Sequence, residues 1–442
     1  MNHRVYLALA IPLTISTMTT PLLGAVDTAV VGQLANPAYI GGVAVGSLIF
    51  STLYWLFGFL RVSTSAFAAQ ANGAQSEEQG VLAFLRPFLI AIIVGLCFIA
   101  LQWPIIQSAF LVISPAADVR QFAADYFHIR IWGAPFTLMN YVILGWLMGM
   151  AKMKEALSLQ ILINVMNMVL ALLLVHVFSF AVKGVAAATL ISELTAFVLG
   201  AWIIMKHSKN GFQMPSLKKI MDTQAVQKMF HVNKDLFIRT ICLLVVINMF
   251  TAKGASFGTE MLAANAILFL IHYIMAYLFD GFANASSILV GRSVGANDRT
   301  LYERTLTLSR QWALVMACLI ASVYFLLKEP ILGLFTNLPR LLDVTLGYAD
   351  WLVLYPFAAC FGLVIYGVFT GATEIAPVRN SMLFAMVLFI VVQAAVTPIW
   401  HNHGLWFSFI IYTVGRSGFL MMYKSRLDQK LFAKEKHPLP WN

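Results

Sequence analysis

The sequence predicts an all-α integral membrane protein, with twelve transmembrane helices in two six-helix lobes related by a parallel internal repeat. Three observations carry that expectation. The 442-residue chain is 60% hydrophobic and only 11% charged, far more apolar than a soluble core of this length requires. Its apolar residues gather into segments about long enough to cross a bilayer. The two halves of the chain also match one another at a single fixed offset.

The expected spans are 5–33, 40–70, 82–104, 120–150, 156–179 and 184–206, then 232–253, 260–291, 304–327, 342–371, 380–400 and 404–424. Several are longer than a helix needs to cross the hydrocarbon, which predicts tilt, kinks or ends that protrude into water. A membrane β-barrel would instead show short alternating segments, and the sequence has none.

The first span carries the stretch Pro21-Leu-Leu-Gly-Ala-Val-Asp27-Thr-Ala-Val-Val-Gly-Gln33, with Asp27 its only carboxylate. An ionised acid in hydrocarbon is costly, so Asp27 is expected to face a protein interior or a wet cavity. Pro21 removes a backbone donor and opens the helix ladder where a bend can form. An acid just past a proline can couple a proton or cation to helix shape. The plainer reading is a neutral, hydrogen-bonded Asp27 that holds helices together.

The connections between spans set the orientation. Alternate ones carry Lys152 and Lys154, then Lys206, Lys209, Lys218, Lys219 and Lys228, then Arg292, Arg299 and Arg304, then Arg379. The tail adds Lys424, Arg426, Lys430, Lys434 and Lys436, whereas the opposite connections hold little beyond Arg120, Lys183, Lys253, Lys328 and Arg340. The positive-inside bias places both termini in the cytoplasm. The net charge of +10 therefore belongs to a membrane face and argues against a nucleic-acid partner. The longest polar connection separates six spans from six. It predicts an N-terminal lobe over 1–206, a cytoplasmic linker over 207–231, a C-terminal lobe over 232–425 and a tail over 426–442.

A shift of 222 residues (295 − 73) lays Gly73-Ala74 on Gly295-Ala296, Leu56-Phe57 on Leu278-Phe279, Tyr126 on Tyr348, Gly145 on Gly367 and Gly149 on Gly371. Six spans per half bring the copies into the membrane with the same orientation. Such transporters bind substrate between the halves and rock them to alternate access.

The other polar residues inside spans are few. Asn164 and Asn167 share a face of the fifth span, and Thr189 and Glu193 share a face of the sixth. With Asp27 they are expected to form a hydrogen-bonded cluster, against the blander reading of interhelical polar glue. Asp235 and Arg239 stand four apart in the seventh span and predict a local ion pair. Asp280 and Asn284 share a face of the eighth and mark a second polar focus. Arg61, Arg86, Arg130, Arg310 and Arg416 are expected to snorkel or pair.

Enzyme signatures are missing from the sequence. There is no Gly-x-x-x-x-Gly-Lys-Ser/Thr loop, no His-Glu-x-x-His, and no pattern among Cys97, Cys242, Cys318 and Cys360 that would form a metal site or disulfide. No cofactor and no resident metal is expected. His401 and His403 are expected to be solvated in a short external loop.

These residues resemble a known family. Val26-Asp27-Thr28-Ala-Val-Val-Gly32 resembles the first-span signature of the MATE multidrug and toxic compound extrusion transporters. Gln70-Ala-Asn-Gly73-Ala74 and Arg292-Ser-Val-Gly295-Ala296-Asn297-Asp298 resemble that family's cytoplasmic loop motif. Asn233-Lys-Asp235 through Arg239, and Phe279-Asp280-Gly281-Phe282-Ala283, are similar to its bacterial DinF branch. The resemblance implies a multi-pass protein of the bacterial inner membrane, a monomer that exports amphiphilic drugs in exchange for a cation. It implies Asp27 as the proton-titrating acid, Pro21 as the bend, and Asn167 and Thr189 as hydrogen-bond neighbours. Many members carry a second acid four residues after the fifth-span asparagine, where this chain has Ala171. A lone acid suits a proton better than sodium, which needs several oxygen ligands, although Glu193 is a possible substitute. The remaining alternatives are a sodium-coupled antiporter and a lipid or lipid-linked glycan flippase of the same superfamily.

Overall fold

A computed structural model of the chain describes residues 2–32, 37–207, 215–336 and 338–432; at residues 19–29, 31, 32, 37 and 207 it describes the backbone alone. All regular structure among these residues is helical. They divide into two compact units, one formed by Met18–Phe230 and the other by Met1–Thr17 with His231–Asn442.

The first unit takes the later part of α1 (His3–Gly32) and then α2 (Pro37–Phe57), α3 (Phe59–Gly73), α4 (Glu77–Ala100), α5 (Gln102–Ile113), α6 (Ala117–Arg130), α7 (Ala134–Gly149), α8 (Met153–Leu172), α9 (Ala181–His207) and α10 (Leu217–Ile220). The fourth expected span, read as one helix, is two: α6 and α7 meet at a 3₁₀ turn over Ile131–Gly133. Pro135 has no N–H to offer the Ile131 carbonyl, so the α-helical ladder is interrupted there. After α4 the chain forms a short apolar helix, α5, most of which lies past residue 104, where the expected third span ends. Arg86 pairs with the chain after the expected linker begins, donating from Nε to the Ile220 carbonyl at 3.0 Å and from Nη2 to that of Lys219 at 2.7 Å.

The second unit holds the start of α1, then α11 (Thr223–Ala255), α12 (Thr259–Gly295), α13 (Arg299–Gly333), α14 (Pro339–Gly371), α15 (Ala376–Met422) and α16 (Lys424–Phe432). A straight helix of 47 residues would be about 70 Å long, more than twice the hydrocarbon thickness. The 47-residue α15 instead breaks at His401, whose backbone (φ 48°, ψ −125°) is not helical. Its two arms match the expected spans 380–400 and 404–424. Pro398 lacks a donor just before the break, and Gly404 lies so close to the Val396 carbonyl that a Cβ would stand 2.8 Å from it. His403 is exposed, yet its ring packs on Tyr348 at 4.5 Å and its Nδ1 accepts from the Trp351 indole at 3.2 Å.

Ten helical stretches among the described residues are long and apolar enough to cross a membrane. Adding α1 and counting the two arms of α15 separately gives twelve spans (10 + 1 + 1). Leu314, Val315, Leu319, Val323 and Leu326 lie outward along α13, as lipid-facing side chains must.

The offset of 222 residues reappears as geometry inside each unit. A Cβ on Gly145 of α7 would stand 2.4 Å from the Arg61 carbonyl of α3, and one on Gly149 would meet the Ser65 carbonyl at 2.4 Å. In the other unit, Gly367 and Gly371 of α14 meet the carbonyls of Ala283 and Ser287 of α12 at 2.0 and 2.1 Å. Each of these residues is its counterpart's number plus 222. The two glycines four apart let the helix backbones touch, as small-residue pairs do in membranes. The turns repeat as well. Gln75 and Asn297 adopt φ of 53° and 52°, and the next residues, Ser76 and Asp298, cap the following helices by accepting from Gln79 N and Leu301 N at 3.2 and 2.9 Å.

Candidate functional site

Within the first unit, α8 and α9 bring together two of the residues expected to cluster, Asn167 and Thr189. Asn167 Nδ2 donates to Thr189 Oγ1 at 2.9 Å, and the Thr189 hydroxyl donates to the Val185 carbonyl at 3.2 Å. Both side chains are almost wholly buried, and Asn167 Oδ1 accepts from no donor among the described residues. Asn164, one turn earlier, accepts from Gln160 at 3.4 Å and keeps a buried, unpartnered Nδ2. Ala171, at the position of the missing second acid, is fully buried.

Glu193 follows Thr189 by one turn on α9 and is 8% exposed. Its Oε2 is buried without a hydrogen bond, and it occupies the space beside Gly133, where a Cβ would lie 2.8 Å away. Asn140 of α7 ties the same turn in place, donating to the Glu193 backbone carbonyl at 2.9 Å. The guanidinium of Arg130 lies within electrostatic reach of the carboxylate. Arg130 is itself held by the Tyr126 hydroxyl at 2.6 Å and by the face of Phe50 at 4.9 Å. An acid in this setting is costly to ionise unless Arg130 compensates it, so its charge state is sensitive to what enters the site.

Glu193 thus has neighbours that its own spacing did not name: Arg130 and Thr137 near the carboxylate and Asn140 on its backbone. Arg130 was among the arginines expected to snorkel or pair, with no partner named for it. Pro21 and Asp27 lie in α1 where only the backbone is described, so the placement of their side chains falls outside the described residues.

In the second unit the expected ion pair between Asp235 and Arg239 does not form. Asp235, buried on α11, pairs with Arg379 of α15 at 2.7 Å. Arg239 lies over the ring of Tyr366 at 4.2 Å. A partner on another helix can present a guanidinium end-on, whereas an i, i+4 arginine must reach along its own helix surface. Asp280 and Asn284 sit one turn apart on α12, both half-buried, with Asp280 in electrostatic reach of Tyr355. Gly281 between them is a contact point: a Cβ there would stand 2.0 Å from Thr14 Oγ1 of α1. Among the described residues no group of three or more His, Cys, Asp or Glu is placed to hold a metal ion.

The arrangement has counterparts in known proteins. The family model MatE matches residues 12–173 and 237–395. The DNA damage-inducible protein F of Escherichia coli K12 is 32% identical over 404 residues, covering 91% of this chain and 88% of that protein. The multidrug resistance protein MdtK of Photorhabdus laumondii is 23% identical over 438 residues, covering 92% of each. A solved structure described as the outward-facing conformation of a multidrug resistance MATE family transporter superposes with a TM-score of 0.88, at 18% identity, over 98% of this chain and 97% of that one. A Pyrococcus furiosus transporter of the same superfamily, described as having a binding pocket of reversed polarity, superposes with a TM-score of 0.86 over 97% and 96% of the two chains, also at 18% identity. At that identity the structural matches show the fold, while the family model and the E. coli relative show the kinship. The chain belongs to the MatE family of multidrug efflux transporters, multi-pass membrane proteins that are not enzymes.

Proposed function

We propose that the chain is a proton-coupled exporter of lipophilic, often cationic compounds, acting as a monomer in the bacterial inner membrane with both termini in the cytoplasm. The observation that carries this reading is the stock of uncommitted oxygen in the first unit: Asn167 Oδ1, Asn140 Oδ1 and Glu193 Oε2 are all buried without a donor among the described residues. Buried acceptors left idle are costly; a protonated acid or the N–H groups of a cationic drug supply donors to the amide oxygens, and the Glu193 carboxylate can take a proton itself.

In this reading Asp27 is the principal proton site, with Asn167 and Thr189 beside it, and Glu193 is a second acid in place of the one that Ala171 removes. Protonation of Asp27 removes an anion from the membrane interior and changes the partners it prefers. Pro21 supplies the weak point at which α1 can bend in response, and the bend expels substrate. The six-span lobes over 1–206 and 232–425, joined by the linker 207–231, then alternate access. Asp235 and Arg379 hold the second lobe, and Asp280 and Asn284 provide its polar focus.

Purified protein in liposomes tests the coupling. Efflux of a fluorescent cationic drug is expected to follow an imposed pH gradient and to ignore an imposed sodium gradient. Efflux driven by sodium alone would overturn the proton assignment, and movement of a labelled lipid with no drug efflux would favour the flippase.

A further inference from the structure

We propose that the second unit carries a separate anion site, in which Arg239 and Arg416 take up a compact anionic group: a free ion, or the carboxylate or sulfonate head of an amphiphile. The site is a cleft lined by Arg239 of α11, Gly362 and Tyr366 of α14, and Ser381 and Arg416 of α15, with apolar side chains completing the wall and no acid among them. Its enclosed part is roughly 10 Å³, room for about one small ion or one oxygen of an anionic head, with the rest of a ligand outside it.

The charges in this cleft are not balanced by the protein. Neither Arg239 nor Arg416 forms an ion pair with any described residue. Asp235, one turn before Arg239, is already engaged by Arg379. Asp280 is in electrostatic reach of Tyr355, whose hydroxyl meets Arg416, but does not line the cleft. Arg416 Nε is buried with no acceptor, although the Tyr355 and Tyr412 hydroxyls lie beside other parts of its guanidinium.

The cleft is also rigid. Arg239 lies over the Tyr366 ring at 4.2 Å, and Gly362 brings α14 so close to α15 that a Cβ would meet Ser417 Oγ at 2.1 Å. Arg239 and Arg416 are half-buried and converge on one cleft, where Arg416 Nε has no acceptor. Such a pair forms a site for an anion, because like charges left unpaired are costly and a planar oxyanion matches their donors. The site does not depend on proton coupling and is tested by binding rather than by transport.

The test uses the full chain in nanodiscs of neutral phosphatidylcholine, titrated calorimetrically with sodium laurate, sodium acetate, sodium chloride and dodecyltrimethylammonium, with empty nanodiscs as blank. Laurate is expected to bind the wild type and to lose about ten-fold or more in affinity in Arg239→Gln and in Arg416→Gln, with Arg416→Lys in between. Dodecyltrimethylammonium affinity is expected to be unchanged by all three. Acetate or chloride binding with the same arginine dependence identifies a free ion as the ligand, and laurate binding alone identifies an amphiphile head. If Arg416→Gln does not fold, Arg239→Gln and Arg416→Lys carry the comparison. Anion affinities untouched by the arginine substitutions, or no anion binding by the wild type, would overturn the site. Asp27→Asn is expected to bind laurate like the wild type, so failure of the export reading and failure of this one are told apart.

Discussion

Gly145 and Gly149 seat α7 on α3 at Arg61 and Ser65, and Gly367 and Gly371 seat α14 on α12 at the two carbonyls 222 residues further on. The same offset relates the capped turns at Ser76 and Asp298. Against this shared backbone plan, the interiors differ in charge. The first unit buries a carboxylate, Glu193, in reach of Arg130, and leaves its Oε2 idle together with Asn140 Oδ1 and Asn167 Oδ1. At the matching depth of the last helix, the offset lays Glu193 on Gly415, next to Arg416. The second unit there presents two guanidiniums in a cleft with no acid in its lining. Helix crossings constrain small residues at fixed positions, because any added atom strikes a backbone carbonyl. The polar side chains between the crossings bear no such constraint, so the duplicated halves have been free to take opposite charges.

The largest effects should come from the shared part. Gly145→Leu and Gly367→Leu each drive a side chain into a facing carbonyl, and both are expected to lose more than about 3 kcal/mol of stability and the folded, monodisperse protein. Detergent-solubilised yield by fluorescence size exclusion measures this, and tolerance of one but not the other would break the symmetry of the crossings. Next in size is the unshared part. Glu193→Gln is expected to cut pH-driven efflux of a cationic drug by about ten-fold or more, whereas Arg416→Gln changes it by less than about two-fold. Equal losses in both would mean the two interiors do not divide the labour by charge.

A smaller, structural effect separates the pair found from the pair expected. A double-mutant cycle on Asp235→Asn and Arg379→Gln is expected to show coupling of about 1–3 kcal/mol in thermal unfolding, since Asp235 is buried and Arg379 only partly so. The cycle on Asp235→Asn and Arg239→Gln should show almost none. The smallest effect is at the caps, where Ser76→Ala and Asp298→Ala each cost about 1 kcal/mol.

Much of the fold was legible in the sequence because membrane spans announce themselves by length and composition, and the glycine matches at 145, 149, 367 and 371 turned out to be helix crossings. The break at His401 fell between two expected spans, whereas the one at Ile131–Gly133 was not legible. Pro135 and Pro398 mark weak points, but whether a helix yields there depends on what packs beside it, such as Gly95 against Pro135 and Gly404 against Val396. The site was legible where its residues share a helix face or sit on consecutive spans, as Asn167 and Thr189 do. It was not legible where partners are far apart in sequence. Asp235 finds Arg379 144 residues away, and the local spacing that suggested Arg239 carries no information about a neighbouring helix.

The central claim, that a cationic drug and a proton compete for acid in the first lobe, is tested most directly by calorimetric titration of the purified protein with a permanently charged drug in buffers of different ionisation enthalpy. The dependence of the apparent enthalpy on buffer gives the protons released per drug bound. The account predicts release of about one proton by the wild type and by Arg416→Gln, and none by Asp27→Asn. Drug binding without proton release in the wild type, or undiminished release in Asp27→Asn, would contradict it.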